Sequence, residues 1–215
     1  MSSHLHRNNG VKIINPVEMS NIDIFDIFPS TVFSANLNVD NDEILQECYQ
    51  MKIDDPIGNI RSNYKGWQSR LHSTVDISSW NDRPVISDLT AKSIQFVNEV
   101  LNEIQYNIQF HQDSCCWWVN INDKFAYNVI HSHPKSDLIG VYYPKISSND
   151  QGQITFVRTD GSLHNELYSS VDDHTFYKLS VEQGKVYFFP AHLLHYVEPN
   201  ETNDERISIS FNLCL

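Results

Sequence analysis

Hydrophobic positions divide the chain into a helical part and a later strand-rich part. From about Pro84 to Gln105 apolar side chains recur at helical spacing, which predicts an amphipathic helix with Pro84 in its first turn. A shorter helix is predicted to end near Lys52, with either Asp40 or Asn41 as its cap. Its apolar stripe consists of Ile44, Leu45, Cys48 and Met51. Residues 31–37 read as a first strand, whereas residues 1–30 and 53–83 show no regular pattern.

After Tyr106, short β-rich runs alternate with turn signals such as Asn149–Gly152 and Gln183–Gly184. The runs cover residues 107–111, 115–121, 138–146, 153–157, 175–181, 185–190 and 206–213. Short strands separated by turns are typical of a sandwich or barrel. We therefore expect one domain, mainly β, in which residues 1–106 form a helical and irregular support for a β-rich core of residues 107–215.

Composition narrows the functional classes. The 215 residues include 27 acidic and 15 basic side chains, a formal net charge of -12, which disfavours general binding to nucleic acids or anionic membranes. The four cysteines form no CxxC pair, so neither a disulfide framework nor a structural zinc site is expected. No apolar run has the length of a membrane span and no signal peptide is evident, so we expect a cytoplasmic protein.

Histidines in the β-rich half are the first candidates for chemistry. His131 and His133 are two residues apart, so on an extended segment both imidazoles would face one side and could hold a divalent metal. On its own, such a pair is more often a surface feature. His195 follows an aromatic strand, and His192 competes with it from the same turn. Either of these two histidines could instead make a simple hydrogen bond at a strand end.

Polar and apolar side chains alternate strictly in residues 206–213, which predicts a strand with two different faces. One face is apolar and the other carries Arg206, Ser208, Ser210 and Asn212. The polar face could be an outer, solvated surface. If it is buried, the guanidinium needs an anion, and a carboxylate suits its planar pair of donors.

In order and spacing these sites resemble the 2-oxoglutarate- and Fe(II)-dependent oxygenases, particularly the prolyl-4-hydroxylase-like branch. The sequence is similar, more narrowly, to oxygenases of marine bacteria and phages that share N-x-x-H-x-H-P, G-V-Y-Y and R-I-S-I-S-F-N. The resemblance covers residues 107–215. Asn128–His133 stands where the wider branch has Tyr-x-x-His-x-Asp, and Arg206 with Ser208 matches its Arg-x-Ser clamp. The segments 152–156 and 184–189 match two further strands of that branch.

The resemblance implies a double-stranded β-helix, that is, a cupin-like jelly roll, with an N-terminal helical support. It also implies a dioxygenase that uses Fe(II), 2-oxoglutarate and O₂ to hydroxylate a small-molecule or peptide substrate of unknown identity, releasing succinate. The implied metal ligands are His131, His133 and His195. The implied cosubstrate contacts are Arg206 and Ser208, with Asn128 as an additional one, and no catalytic residue is implied beyond the metal site.

One departure from the wider branch concerns the metal. His133 replaces the usual aspartate, which makes the ligand set neutral, although three imidazoles are a reasonable set for iron. Alternatively, Asp137 or a water molecule completes the ligand shell in place of His133.

Two other functions remain open at this point. One is a cupin-like three-histidine dioxygenase without a keto acid, in which Arg206 binds a carboxylate of the substrate itself. The other is a non-catalytic domain that binds a small acid or a metal. Residues 66–70 could line the site, although a packed surface loop is favoured for them, and a homodimer is conceivable, with residues 1–30 as an arm.

Overall fold

The computed structural model describes residues 30–73, 83–158 and 176–215. Two α-helices lie in these ranges, α1 at Asn41–Asp54 and α2 at Pro84–Glu103. The first six strands are Phe33–Asn36 (β1), Asn63–Tyr64 (β2), Trp67–Gln68 (β3), His72–Ser73 (β4), Cys115–Asn122 (β5) and Tyr127–His131 (β6). The other six are Leu138–Lys145 (β7), Ile154–Val157 (β8), Phe176–Leu179 (β9), Lys185–Pro190 (β10), His195–Val197 (β11) and Arg206–Leu213 (β12).

The strands of the described ranges form two sheets, and every pairing is antiparallel. The larger sheet has the order β1-β10-β7-β12-β5-β3, with β4 also paired to β5. The smaller sheet has the order β2-β6-β11-β8-β9. Because the chain passes repeatedly from one sheet to the other, the result is a double-stranded β-helix, as the family resemblance implied.

Two apolar layers hold this arrangement together. The first lies between the helices and the larger sheet, where Leu89 and Val97 of α2 pack with Ile209 of β12. The second lies between the two sheets and includes Tyr143 of β7 and Phe189 of β10. Both faces of β12 are buried, so this strand faces the helix layer on one side and the space between the sheets on the other.

Both predicted helices are present, and local interactions explain where they begin. Asp40 is the N-cap of α1, and its carboxylate accepts hydrogen bonds from the backbone N–H groups of Asp42 and Glu43 at 3.1 and 3.0 Å. Pro84 occupies the first turn of α2, as predicted. Ion pairing of Arg83 with Glu47 links the two helix regions. No helix of the described ranges is long and apolar enough to cross a membrane.

Two predictions about local structure are wrong. Residues 107–111 form no strand, because the backbone of Phe110 is bonded to the side chain of Asn98 in α2 and not to a neighbouring strand. Residues 53–73 are less irregular than predicted, since β2, β3 and β4 lie there and join both sheets. The predictions for residues 1–29 and 74–82 fall outside the described residues.

Candidate metal centre and anion pocket

The double-stranded β-helix brings together the three histidines chosen from the sequence. His131 ends β6 and His195 begins β11, and the two residues are directly opposite each other across these paired strands. His133 follows two residues after His131. Their potential ligand nitrogens all lie within 4.8 Å of one another, and the His131 and His195 ring centres are 4.4 Å apart. Side chains from distant parts of the chain therefore meet in one place suited to a single metal ion.

Hydrogen bonds orient all three imidazoles in the same way. In each ring Nδ1 contacts a carbonyl oxygen, which can only accept, so Nδ1 carries the proton and Nε2 keeps its lone pair. The pairs are His131 with the Val129 backbone (2.7 Å), His195 with the Leu193 backbone (2.8 Å) and His133 with Oδ1 of Asn212 (2.9 Å). This is the tautomer that a metal bound at Nε2 requires.

Burial keeps these rings neutral. Loss of water around the ring, together with a smaller effect of the neighbouring His131 imidazole, lowers the pKa of His195 to about 3 and that of His133 to about 4. Burial also lowers the pKa of His131. At neutral pH the three lone pairs are therefore not blocked by protons.

The competing ligand candidates do not reach this cluster. His192 is exposed in the turn after β10. Asp137 is exposed too, and its carboxylate accepts a hydrogen bond from the backbone N–H of Leu215 at 2.9 Å. Within the described ranges, the three histidines are the one group of potential ligands close enough together to hold a metal, and no carboxylate belongs to it.

Arg206 lies on the inner face of β12, in the same cavity as the histidines. Its side chain is 1% exposed, so the alternative of a solvated outer face is wrong. Nη1 donates to the backbone carbonyls of Gln151, Gly152 and Glu198, the last two at 3.3 and 3.1 Å. Nη2 is buried and has no hydrogen-bond partner among the described residues.

The charge of Arg206 persists despite its burial. Loss of water lowers the pKa of the guanidinium to about 10, which still leaves it protonated at neutral pH. A buried cation with a free donor is costly unless an anion completes it. An anionic group bonded to Nη2 would offset this cost.

Gly152 makes room for this arginine. Its backbone has φ +89°, and a Cβ at this position would overlap the Glu198 carbonyl oxygen and Nη1 of Arg206. A side chain would therefore displace the three carbonyls that hold the guanidinium. The sequence marked this glycine as part of a turn and as the first residue of the segment 152–156 that matches a strand of the resembled family, but not as a neighbour of Arg206.

Polar side chains near Arg206 add further hydrogen-bonding groups to the cavity. Asn120 of β5 lies opposite Ser208 of β12, and its Nδ2 donates to the hydroxyls of Ser208 and Ser210 at 3.4 and 3.3 Å. Asn128, which the resemblance selected, also lines the cavity and donates to Ser62 at 3.2 Å. Sequence reasoning missed Asn120, whose signal is its place on the alternating strand 115–122.

Residues 66–70 do not line the cavity. They are not the packed surface loop favoured above either, because Trp67 and Gln68 form the buried strand β3. Trp67 belongs to the helix-side core, and its Nε1 donates to the backbone carbonyl of Asp55 at 2.8 Å. Arg70 is bound to the carboxylate of Asp55 at 2.8 Å and points into solvent.

Comparison with known proteins gives one family similarity, which covers part of the chain. Residues 116–212 match the model of a family described as "Putative 2OG-Fe(II) oxygenase". The match covers less than half of the 215 residues, and over this part the chain is similar to the 2OG-Fe(II) oxygenases. The matched segment contains the three histidines, Arg206 and Ser208. No curated protein matches the sequence.

Solved structures of oxygenases share the fold of this chain. A prolyl-4-hydroxylase from Pseudomonas putida has a TM-score of 0.60 at 11% identity, covering 86% of this chain and 92% of its own. The viral collagen prolyl hydroxylase of Paramecium Bursaria Chlorella virus-1, solved as a 2-oxoglutarate complex, has a TM-score of 0.55 at 14% identity, covering 86% and 96%. HygX from Streptomyces hygroscopicus, with nickel and 2-oxoglutarate bound, has a TM-score of 0.53 at 13% identity, covering 86% and 82%. At such low identity these similarities show the fold alone.

Proposed function

We propose that this oxygenase holds Fe(II) through Nε2 of His131, His133 and His195 and uses 2-oxoglutarate to hydroxylate a substrate. The observation that carries the proposal is the buried Arg206, which lines the same cavity as the three imidazoles and whose Nη2 has no hydrogen-bond partner among the described residues. Iron and the keto acid, when bound, supply the oxidation: 2-oxoglutarate becomes succinate and CO₂, and one oxygen atom of O₂ enters the substrate. The two similar structures with 2-oxoglutarate bound support this choice of cosubstrate.

The residues present suit both groups. Three neutral imidazoles with free Nε2 lone pairs are appropriate donors for Fe(II). Arg206 offers a charged N–H donor to the far carboxylate of the keto acid. Ser208 accepts from Asn120, so the proton of its own hydroxyl is free to point to the same carboxylate. Asn128 provides an additional amide at the cavity wall.

The cavity wall also limits access of water. Ile139, Val141 and Phe189 line it together with the polar groups, and they are largely buried in the layer between the sheets. An apolar wall that keeps water away strengthens the electrostatic interaction of Arg206 with a carboxylate. It also confines the oxidation to the molecule bound in the cavity.

The decisive experiment is a titration of metal-free protein with Fe(II) and 2-oxoglutarate under argon, followed by visible absorption. We expect a charge-transfer band that needs both additions. Arg206→Ala should weaken 2-oxoglutarate binding by roughly tenfold to a hundredfold, the effect of losing a hydrogen bond to a charged group. Arg70→Ala removes an exposed arginine elsewhere and serves as the matched control, with unchanged affinity.

Other outcomes of the titration separate the alternatives. Iron binding without the band would favour a three-histidine dioxygenase that needs no keto acid. Absence of iron binding would favour a non-catalytic domain. An Arg206→Ala protein that binds 2-oxoglutarate as tightly as the wild type would contradict the proposed clamp.

We also propose that the oxygenase works in the cytoplasm on a small-molecule or peptide substrate. The four cysteines are free thiols, and Cys48 and Cys115 are buried. Reduced thiols and Fe(II) both persist in a reducing compartment. The acidic composition supports a substrate other than nucleic acid. Fractionation of cells that produce the tagged protein tests the location, and a membrane-bound or secreted protein would contradict it.

A further inference from the structure

The described residues that line the cavity carry positive charge and no carboxylate. Among the described residues that line it, the ionisable side chains are those of His131, His133, His195, Arg206 and Tyr143. Burial raises the pKa of Tyr143, so its phenol stays protonated and neutral. The remaining polar lining consists of uncharged serine, asparagine and tryptophan side chains. This lining contrasts with the chain as a whole, whose formal net charge is -12.

Acidic residues near the site in sequence are engaged elsewhere. The backbone carbonyl of Glu198 accepts a hydrogen bond from Arg206, whereas the Glu198 carboxylate pairs with Lys178 at 2.5 Å. The carboxylate of Glu205 accepts from the hydroxyl of Tyr49 at 2.7 Å. Asp137 is exposed, and its carboxylate accepts a hydrogen bond from the backbone N–H of Leu215. None of these three carboxylates lines the cavity.

The net charge of the occupied cavity follows from this lining and from the proposed function. The inference therefore rests on that proposed function. A divalent metal on three neutral imidazoles and one guanidinium bring three positive charges into the cavity. A bound keto acid contributes two negative charges. One positive charge then remains in a largely buried site, which is unfavourable unless another anion accompanies it. A carboxylate at position 133 would have cancelled this charge, but His133 cannot.

We propose that the cavity takes a second anionic group beside the keto acid, close to His133. The group is a monoanion with access to the metal side of the cavity. It has two possible sources: an acidic group of the substrate, such as a carboxylate, or a free inorganic anion. In the first case the oxygenase selects acidic substrates, and in the second a small anion completes the site during turnover.

Azide is the probe for the chemistry that the two sources share, which is a single negative charge. The complex of the protein with Fe(II) and saturating 2-oxoglutarate is titrated with sodium azide under argon at constant ionic strength, and the charge-transfer band is followed. We expect a saturable shift of the band in the wild type. His133→Asp and His133→Asn form the matched pair, since the two side chains have nearly the same shape and differ in charge. Azide affinity should be at least roughly tenfold weaker in the Asp variant than in the Asn variant.

If either variant fails to bind iron, the azide titration of the wild type tests the inference by itself. A band that does not respond to azide overturns the inference, and so does equal azide affinity in the two variants. If no band forms with 2-oxoglutarate in the wild type, the proposed function itself has failed.

Two further titrations of the wild-type complex distinguish the sources. Acetate is compared with acetamide, its neutral counterpart of similar size, and chloride is tested separately. Saturable binding of acetate but not of acetamide supports an acidic group on the substrate. Binding of chloride and azide without acetate supports a free inorganic anion.

Discussion

At the scale of single residues, Gly152 is as important to the site as the charged side chain that it accommodates. Gly152→Ala should destabilise the protein by about 1–3 kcal/mol, because the new Cβ meets the Glu198 carbonyl and Arg206 at a φ that favours glycine. It should also weaken 2-oxoglutarate binding, since the carbonyls that hold Nη1 must move. Urea unfolding and the keto-acid titration measure the two effects.

The control for this prediction is Gly184→Ala. Gly184 also has a positive φ, +79°, but a Cβ there meets no atom within 4 Å. This variant should therefore lose some stability, by about 1 kcal/mol, and keep its affinity for 2-oxoglutarate. Equal affinity in both variants would show that Gly152 does not position Arg206.

Asn212 offers a second prediction at this scale, because its side chain holds His133 in the tautomer that exposes Nε2. Asn212→Ala should lower the affinity for Fe(II) by roughly tenfold to a hundredfold, as the loss of a partner behind a ligand usually does. Asn212→Asp keeps an acceptor at the same place and should restore most of the affinity. Competition with a coloured chelator measures both, and an unchanged affinity in the alanine variant would argue against the role.

Local pattern was sufficient to nominate most of these residues. Alternation along residues 206–213 separated the face of Arg206 and Ser208 from the apolar face, and the structure has both faces as predicted. The same alternation contained Asn212, but nothing in the sequence shows that it contacts His133, which is 79 residues away. The three backbone carbonyls that hold Arg206 could not be predicted either, because a backbone carbonyl does not depend on the residue type.

At the scale of elements, helix α2 supports the larger sheet without reaching the cavity. Leu89 is fully buried in the layer between helix and sheet. Leu89→Ala should therefore lower the free energy of unfolding by about 2–5 kcal/mol and leave 2-oxoglutarate affinity unchanged in the folded protein. The exposed Gln95 of the same helix is the control, and its change to alanine should stay within about 0.5 kcal/mol. A large loss of keto-acid affinity in Leu89→Ala would show that the helix layer shapes the site.

Element prediction failed where tertiary contacts decide the backbone. Phe110 lies in a β-rich run, yet Asn98 of α2 donates to its carbonyl and accepts from its N–H at 2.9 and 2.8 Å. A side chain thus satisfies the groups that a strand neighbour would have satisfied. Strands β2 to β4 were missed for the opposite reason. Each has two residues, too few for a periodic pattern, and each exists through pairing with β5 or β6.

At the scale of the whole molecule, three neutral histidines, of which His195 is buried and the other two are half-buried, make the stability of the metal-free protein depend on pH. In the unfolded chain a histidine has a pKa of about 6.5. In the folded protein the pKa falls to about 3 for His195 and about 4 for His133. Between these values the unfolded state binds more protons, so their contribution to stability is complete above about pH 6.5 and is lost as the pH falls.

His195→Gln isolates one part of this dependence, because glutamine does not titrate. Below pH 6 the wild type should lose stability relative to the variant. The loss in its free energy of unfolding should be up to about 1.4 kcal/mol per pH unit. The comparison is needed because the chain, with a net charge of -12 at pH 7, also loses self-repulsion as its carboxylates protonate. Urea unfolding in EDTA at pH 7.5, 6 and 5 measures the difference. Parallel pH profiles for the two proteins would mean that His195 is not held neutral by burial, and the argument for a preformed, metal-ready cluster would lose its electrostatic basis.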